Sequence, residues 1–455
     1  MSRPDQFASL HPDCPDWQKL GPTAEDAALR AQAAAVTADA EDREDQWSHG
    51  FTRRRLLAGG LGVGVAAMAS QLVTTRISWA TPNASPTGTM IVVFLRGGMD
   101  GLSVLVPADD PNLLKARPGI AVRAGSLINL QRGFGLHPSL APLQPLISAG
   151  RFAAVPAVST PDLTRSHFQA QDCLERGGAA GSTVQSGWLD RVLQQLGPGT
   201  TFRALGIGAR MSRSLLGSSN PIVLTSLKDF GVKGIDGVAP QTLAALTTLY
   251  TGIDHPLGVQ GLDALQASAK AQAYGKQEQK PGKERGYPDG DFGNSLATLA
   301  QLIKAKAGVR VATIDVGGWD MHTDIGTVEG GDMTNSLKSV GAALAAFAAE
   351  LGPDLDNTTV VTMSEFGRRV GQNANSGADH GHGGVTMILG GGVKGGVHGR
   401  WEGLAPSVLD QGDVPGTNDY RDVLTEVVMG RLGLSAAQAT KVFPGWKATP
   451  LGVMS

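Results

Sequence analysis

Four short, glycine-bearing clusters carry the residues best suited to chemistry in this chain. They are Arg96-Gly97-Gly98-Met99-Asp100-Gly101, Gly317-Gly318-Trp319-Asp320-Met321-His322, Ser364-Glu365-Phe366-Gly367-Arg368 and Asp379-His380-Gly381-His382-Gly383-Gly384. Imidazole and carboxylate side chains are common ligands of divalent ions, and neighbouring glycines let the backbone turn them inward. The candidate metal ligands are therefore Asp100, Asp320, His322, Glu365, His380 and His382, and the candidate ions Zn, Mn, Mg or Ca. Each has an ordinary alternative. A carboxylate after a strand also caps the next helix, and a single histidine more often serves a hydrogen bond than a metal.

A reacting group is suggested by the run Ser159-Thr160-Pro161-Asp162-Leu163-Thr164-Arg165-Ser166-His167-Phe168. It follows an apolar strand-like segment and opens a helix. Hydroxyls there lie near free backbone amides and in the positive field of a helix start, so Thr164 and Ser166, with His167 beside them, are candidate catalytic residues. The alternative is an ordinary helix cap. Arg96, Arg165 and Arg368 are candidate clamps for a developing negative charge through their planar donor forks, or else partners in ion pairs.

These clusters need elements to position them. Near-continuous apolar runs predict strands over Thr89–Leu95, Phe152–Val158, Ile222–Thr225, Val309–Val316, Thr359–Met363 and Val385–Leu389. Such runs suit strands covered on both faces. Helical periodicity predicts Ser166–Arg176, Trp188–Gln195, Pro240–Tyr250, Asp263–Ala273, Phe292–Lys306, Met333–Leu351 and Tyr420–Leu432. Alternating strands and helices imply an α/β fold, a doubly wound, mainly parallel sheet flanked by helices. In such sheets binding groups gather beyond the carboxyl ends of the strands. Three clusters follow strands, and the fourth leads into one. The polar run Gly275–Asp291 is either a solvated loop or the rim of an inserted subdomain spanning about 185–290.

The first 80 residues read differently. Thr52-Arg53-Arg54-Arg55-Leu56-Leu57 resembles a twin-arginine signal; a Gly/Ala-rich, weakly apolar stretch and Ser78-Trp79-Ala80 follow it. Residues 1–51 then form a flexible leader, 52–80 the signal, and the working domain begins near Thr81. The expected partner during export is the twin-arginine translocase, and the expected destination is periplasmic or extracellular, without a stable membrane anchor. Of 39 basic and 41 acidic residues, 8 and 10 lie before Thr81, leaving 31 of each. A balanced charge makes no case for nucleic acid. Cys14 and Cys173 are the only cysteines; loss of the first would leave one thiol, most simply a small buried helix residue.

The motifs FLRGGMDGLSVLVP, LHPSLAPLQPL, TRSHFQAQDCLERG, SGWLDR, GGWDMH, TMSEFGRRVGQN, ADHGHGG and GGVKGGVHGRW, from about Thr89 onward, resemble the bacterial domain of unknown function 1501 family. That family is similar to the alkaline phosphatase and sulfatase superfamily, whose two-metal sites hydrolyse phosphate or sulfate esters. The resemblance implies an alkaline-phosphatase-like domain over 81–455, a small anionic ester as substrate, and metal roles for Asp100, Asp320, His322, Glu365 and His380 or His382. Phe366 stands where the superfamily usually has a histidine, and Leu163 where it often has the nucleophile. A non-catalytic ligand- or partner-binding protein on the same fold, or a secreted assembly factor, are the other readings.

Overall fold

The computed structural model describes residues 88–179, 181–227, 230, 239–252, 256–276 and 282–455. The expected leader, the expected twin-arginine signal and Cys14 lie outside the described residues. Twelve strands are assigned among these residues: β1 (Thr89–Leu95), β2 (Leu105–Pro107), β3 (Ile128–Asn129), β4 (Phe134–Leu136), β5 (Phe152–Ser159), β6 (Ala204–Ile207), β7 (Ile222–Leu224), β8 (Val311–Val316), β9 (Thr358–Met363), β10 (Gly384–Gly390), β11 (Gly396–Val397) and β12 (Asn418–Asp419). The helices are α1 (Gly101–Val104), α2 (Pro111–Ala116), α3 (Gln144–Ser148), α4 (His167–Arg176), α5 (Trp188–Leu196), α6 (Ala239–Tyr250), α7 (Pro256–Lys276), α8 (Asp291–Lys304), α9 (Asp332–Leu351), α10 (Tyr420–Leu432) and α11 (Ala436–Val442).

The main sheet runs β11-β5-β10-β9-β1-β8-β6-β7, with β12 also beside β5. Strand β1 sits centrally, parallel to β8 and β9, with Ile91 opposite Ala312 and Val92 opposite Val361. All seven of its residues are buried, as its unbroken β-branched run requires of a strand covered on both faces. Alternate residues face opposite layers. Met90, Val92 and Phe94 join one core with Val361 and Ile388 from the sheet, Trp188, Leu189 and Val192 from α5, and Val423, Val427 and Val428 from α10. On the other layer α8 packs on β8 and α9 on α8. Fully burying one such aliphatic side chain stabilises by roughly 1.5–3 kcal/mol.

Strand β10 runs antiparallel to both β9 and β5. Its amino end therefore lies at the same sheet edge as the carboxyl ends of β1, β5, β8 and β9. That topology lets a segment leading into a strand meet segments leaving strands. The short β6, whose Ala-Leu-Gly-Ile run carries no long apolar stretch, extends the sheet beyond β8. A small antiparallel sheet of β2, β4 and β3 lies apart from the main one.

Chain contacts divide into two units, and residues 232–268 fall in the one without the sheet. There Leu246 and Leu249 of α6 bury against Leu265 of α7. Among the described residues, no helix is long and apolar enough to cross a membrane.

Candidate metal centre

The segment after β5 prepares the first candidate ligand. Asp162 Oδ1 accepts from the Thr164 amide at 2.7 Å and from its hydroxyl at 2.6 Å, closing a local turn. Arg165 then takes a left-handed backbone, φ +56°, rare for a residue with a side chain. Its side chain is fixed by Asp413, at 2.6 and 2.8 Å. This conformation brings the Arg165 carbonyl to His380 Nδ1, at 2.9 Å. Ser166 occupies the N-cap position with no side-chain cap bond, and α4 begins at His167.

His167 points toward β9. Its Nδ1 lies 2.8 Å from Glu365 Oε1, which also accepts from the Gly97 amide at 2.9 Å and from Gln171 Nε2 at 2.8 Å. His167 and Gln171, four apart, share one helical face. Glu365 is fully buried. Burial by itself would raise its pKa, but the bonds from Gln171, its own backbone and His167 hold it below the ordinary glutamate value.

Across from His167 stand Asp320, His322 and His380. His167 Nε2, buried and without a hydrogen-bond partner, lies 3.5 Å from Asp320 Oδ2. Asp320 Oδ1 lies 3.1 Å from His322 Nε2 and 3.2 Å from His380 Nε2. The two Nε2 atoms are 3.0 Å apart. His322 Nδ1 is held by Asp379 Oδ1 at 3.1 Å, and Asn373 Nδ2 steadies that carboxylate at 2.9 Å. Single donor atoms of His167, Asp320 and His380 all fall within 4.8 Å of one another, close enough to share one ion.

Arg368 fastens this edge together. Its side chain is 1% exposed and donates to the Gly98 carbonyl (2.6 Å), the Ala378 carbonyl (3.1 Å), the Trp319 carbonyl (3.2 Å), Asp320 Oδ1 (2.6 Å), His322 Nε2 (3.3 Å) and the Gly97 carbonyl. The Asp320 side chain is half-exposed, at 49%. Burial acts to raise its pKa; the bonds from Arg368 and His380 outweigh that and bring it to about 2. Burial lowers the His380 pKa, opposed by Asp320 and the Arg165 carbonyl. The close approach of segments explains one glycine: at Gly97, φ +124°, a Cβ would stand 2.5 Å from the Asp320 amide nitrogen.

Several expectations are corrected by these positions. Asp100 lies elsewhere: both its oxygens bind buried Arg117, at 2.5 and 2.9 Å, and Ser103 Oγ adds a bond at 2.5 Å. Glu365 acts on His167 and stands behind the donor atoms. His382 turns away, with Nε2 3.0 Å from the Thr160 carbonyl. The Thr164 hydroxyl is taken up by Asp162 and by the Ser166 amide. Arg96 stacks on Phe94 and binds Gln171, Glu175 and Asp315. Arg368 has five N–H groups and six protein acceptors, so none is left for a bound oxyanion. Cys173 is a buried free thiol on α4, as expected, and burial pushes its pKa up to about 12. Residues the sequence reading passed over are Gln171 and Asp379; their signals were the i, i+4 relation to His167 and direct adjacency to His380.

A cleft of about 860 Å³ opens beside the cluster, along the other side of α4. Gln171 is the shared wall: it lines the cleft and also binds Glu365. Arg96, Asp315, Phe168, Arg210 and Met211 contribute to the lining. Phe168 is 88% exposed, unusual for a large apolar side chain.

Fold and site together define an α/β protein with a histidine–aspartate cluster at the carboxyl edge of its sheet. The chain belongs to the family described as protein of unknown function (DUF1501), whose model matches residues 145–416. That span holds His167, Asp320, His322, Glu365 and His380. No curated protein matches the sequence. Among solved structures the chain is similar to the PsFucS1 sulfatase from Pseudoalteromonas sp. (11% identity, 87% of this chain and 76% of that one, TM-score 0.33). It is similar also to a 2-O GAG sulfatase (11%, 80% and 76%, TM-score 0.35). A third is the lipoteichoic acid synthase LtaP from Listeria monocytogenes (9%, 82% and 81%, TM-score 0.32).

Proposed function

We propose that this protein is an exported hydrolase of phosphate or sulfate esters that works with a divalent metal. The observation that carries the reading is the convergence of His167, Asp320 and His380 donor atoms within 4.8 Å. The donor set fits an ion: two imidazoles and an ionised carboxylate meet where His167 Nε2 has no other partner. When bound, such an ion polarises an ester oxygen and lowers the pKa of water.

The chain's own residues do the rest. Asp320 stays ionised at neutral pH and is held in place by Arg368. Water is the nucleophile in this reading, since Asp162 holds the Thr164 hydroxyl. The adjacent cleft receives the organic part of the ester, with Phe168 offering an apolar face and Arg210, which has no ion pair among the described residues, a free cation. Export rests on residues 52–80 and predicts that Arg53→Lys with Arg54→Lys keeps the protein in the cytoplasm.

The test is reconstitution of untagged full-length chain with Zn, Mn, Mg or Ca, assayed on p-nitrophenyl phosphate and sulfate. Turnover is expected with at least one ion and is lost in His380→Ala. An inert protein with all four ions sinks the proposal. One observation favours a non-catalytic binding protein instead. Arg368 already neutralises Asp320 and keeps no N–H for a substrate, so a transition-state charge has no arginine clamp within the cluster.

A further inference from the structure

We infer that the cluster takes one transition-metal ion of the zinc type through four donors, His322 being the fourth, and that it rejects Mg and Ca. The inference rests on the reading that a metal sits at this edge, and it departs from the two-metal, carboxylate-rich arrangement that the family resemblance implies.

The argument starts with ring nitrogens. Each of three imidazoles has its Nδ1 on a group that can only accept: Glu365 Oε1 for His167, the Arg165 carbonyl for His380 and Asp379 Oδ1 for His322. A hydrogen bond to such a group requires the proton on Nδ1, so each neutral ring turns an Nε2 lone pair inward. Carboxylates and carbonyls behind histidines set metal ligands in this way.

The inward Nε2 atoms of His167 and His380 then face Asp320 with no N–H of their own, while His322 Nε2 also accepts from Arg368 at 3.3 Å. His322 Nε2 and His380 Nε2 stand 3.0 Å apart, and each lies 3.1–3.2 Å from Asp320 Oδ1. Lone pairs at those separations repel unless a positive centre lies among them. Arg368 reaches the edge of the group, at His322 Nε2 and Asp320 Oδ1, and no bond from it to His167 or His380 is found among the described residues. Zinc-type ions bind nitrogen and carboxylate at about 2.0–2.2 Å, which makes tetrahedral ligand-to-ligand edges about 3.3–3.6 Å. The observed separations of 3.0–3.5 Å lie near that range, and an ion bound there takes the His322 lone pair that now accepts from Arg368 at 3.3 Å.

Ligand chemistry separates the ions. Ca and Mg take oxygen ligands, usually six or more for Ca and an oxygen octahedron for Mg. Here one carboxylate meets three imidazoles, a set that favours Zn, Fe(II), Co or Ni. The remaining carboxylates cannot complete an oxygen shell: Glu365 and Asp379 are held behind His167 and His322, and Asp100 is bound by Arg117.

Untagged full-length protein, stripped with a chelator, is titrated separately with Zn, Co, Mg and Ca, following heat and the visible absorption of Co(II). One equivalent of Zn or Co is expected, with no competition from millimolar Mg or Ca. His322→Ala should lose at least tenfold in Zn affinity with its melting temperature unchanged. Should that variant unfold, Asp379→Asn, which disturbs the His322 tautomer from outside, should lose tenfold or more. Two equivalents, equal binding of Ca or Mg, no binding, or an unchanged affinity in the folded variants would each overturn the inference. Ca-dependent turnover would overturn it and leave the hydrolase reading standing. One tight Zn without ester turnover would do the reverse.

Discussion

Two aspartates leave the sheet from neighbouring parallel strands and meet opposite fates. Asp100 follows β1 and is 1% exposed, gripped in two places by equally buried Arg117. Burial penalises its charge, but the Arg117 guanidinium prevails and holds its pKa below the ordinary value. Asp320 follows β8, stays half-exposed, and meets three imidazoles and one edge of Arg368. Both sit after a strand and glycines, so the local motif does not separate them. What separates them is whether the fold fills the carboxylate's remaining lone pairs. Asp100 has both oxygens on donors and belongs to the framework, whereas Asp320 keeps oxygen facing other acceptors and belongs to the proposed metal centre.

That contrast breaks most sharply by mutation. Asp100→Ala strands a buried guanidinium, and losing one partner of a buried pair costs about 3–5 kcal/mol. Urea unfolding should show that loss, with the metal stoichiometry of the folded fraction unchanged. Asp320→Asn should do the opposite: stability within about 1 kcal/mol, because the side chain is half-exposed and Asn still accepts from Arg368, with ester turnover down at least 100-fold. Equal loss of stability in both variants would erase the distinction. Next in size is Glu365→Gln, which keeps the volume but weakens the hold on His167 Nδ1. Metal affinity should fall about 10- to 100-fold, read by chelator competition.

Histidines offer the same comparison under acid. His137 belongs to the framework: it is 1% exposed, and its Nδ1 accepts from the Ser139 amide at 3.1 Å. Burial, with Lys338 nearby, lowers its pKa to about 4. Between pH 6.5 and 4 the unfolded chain takes up a proton that the folded ring refuses, so stability falls as pH drops through that window. The ceiling is about 3 kcal/mol, from 1.36 kcal/mol per pKa unit. His137→Asn, which still caps the turn, should flatten the melting temperature across pH 6.5–4. A slope equal to that of the unaltered chain would remove His137 as its cause.

Much of this was legible before any coordinates. The long apolar runs became β1, β5, β8, β9 and β10 because their hydrophobicity leaves no face for water. The metal-capable side chains Asp320, His322 and His380 were readable from their positions around those strands. Two things were not. Arg117, lying in a short-helix region with no marked pattern, claims Asp100 over a separation of 17 residues; nothing local announces it. Glu365 has the right chemistry for a ligand, but only the start of α4, brought across by the chain, shows that it holds His167 instead. The antiparallel direction of β10 was equally invisible, since direction leaves no mark on an apolar run, yet it is what delivers His380.

The smallest effect on stability, and a sharper test of where substrate lies, comes from Phe168. It sits one residue past His167 on α4 but faces the cleft side, 88% exposed. Removing so exposed a ring should change stability by no more than about 0.5 kcal/mol and leave metal affinity unchanged, since no cluster bond among the described residues involves it. An ester whose organic part lies along this wall loses apolar contact in Phe168→Ala. A ring covering much of its area contributes on the order of 1–3 kcal/mol, a rise in KM of about 5- to 160-fold with kcat little altered. The comparison is between p-nitrophenyl and methyl esters of the same acid group. A loss confined to the aromatic ester places its leaving group in the cleft, while equal kinetics for both in the variant and the unaltered chain would take the cleft out of the reaction.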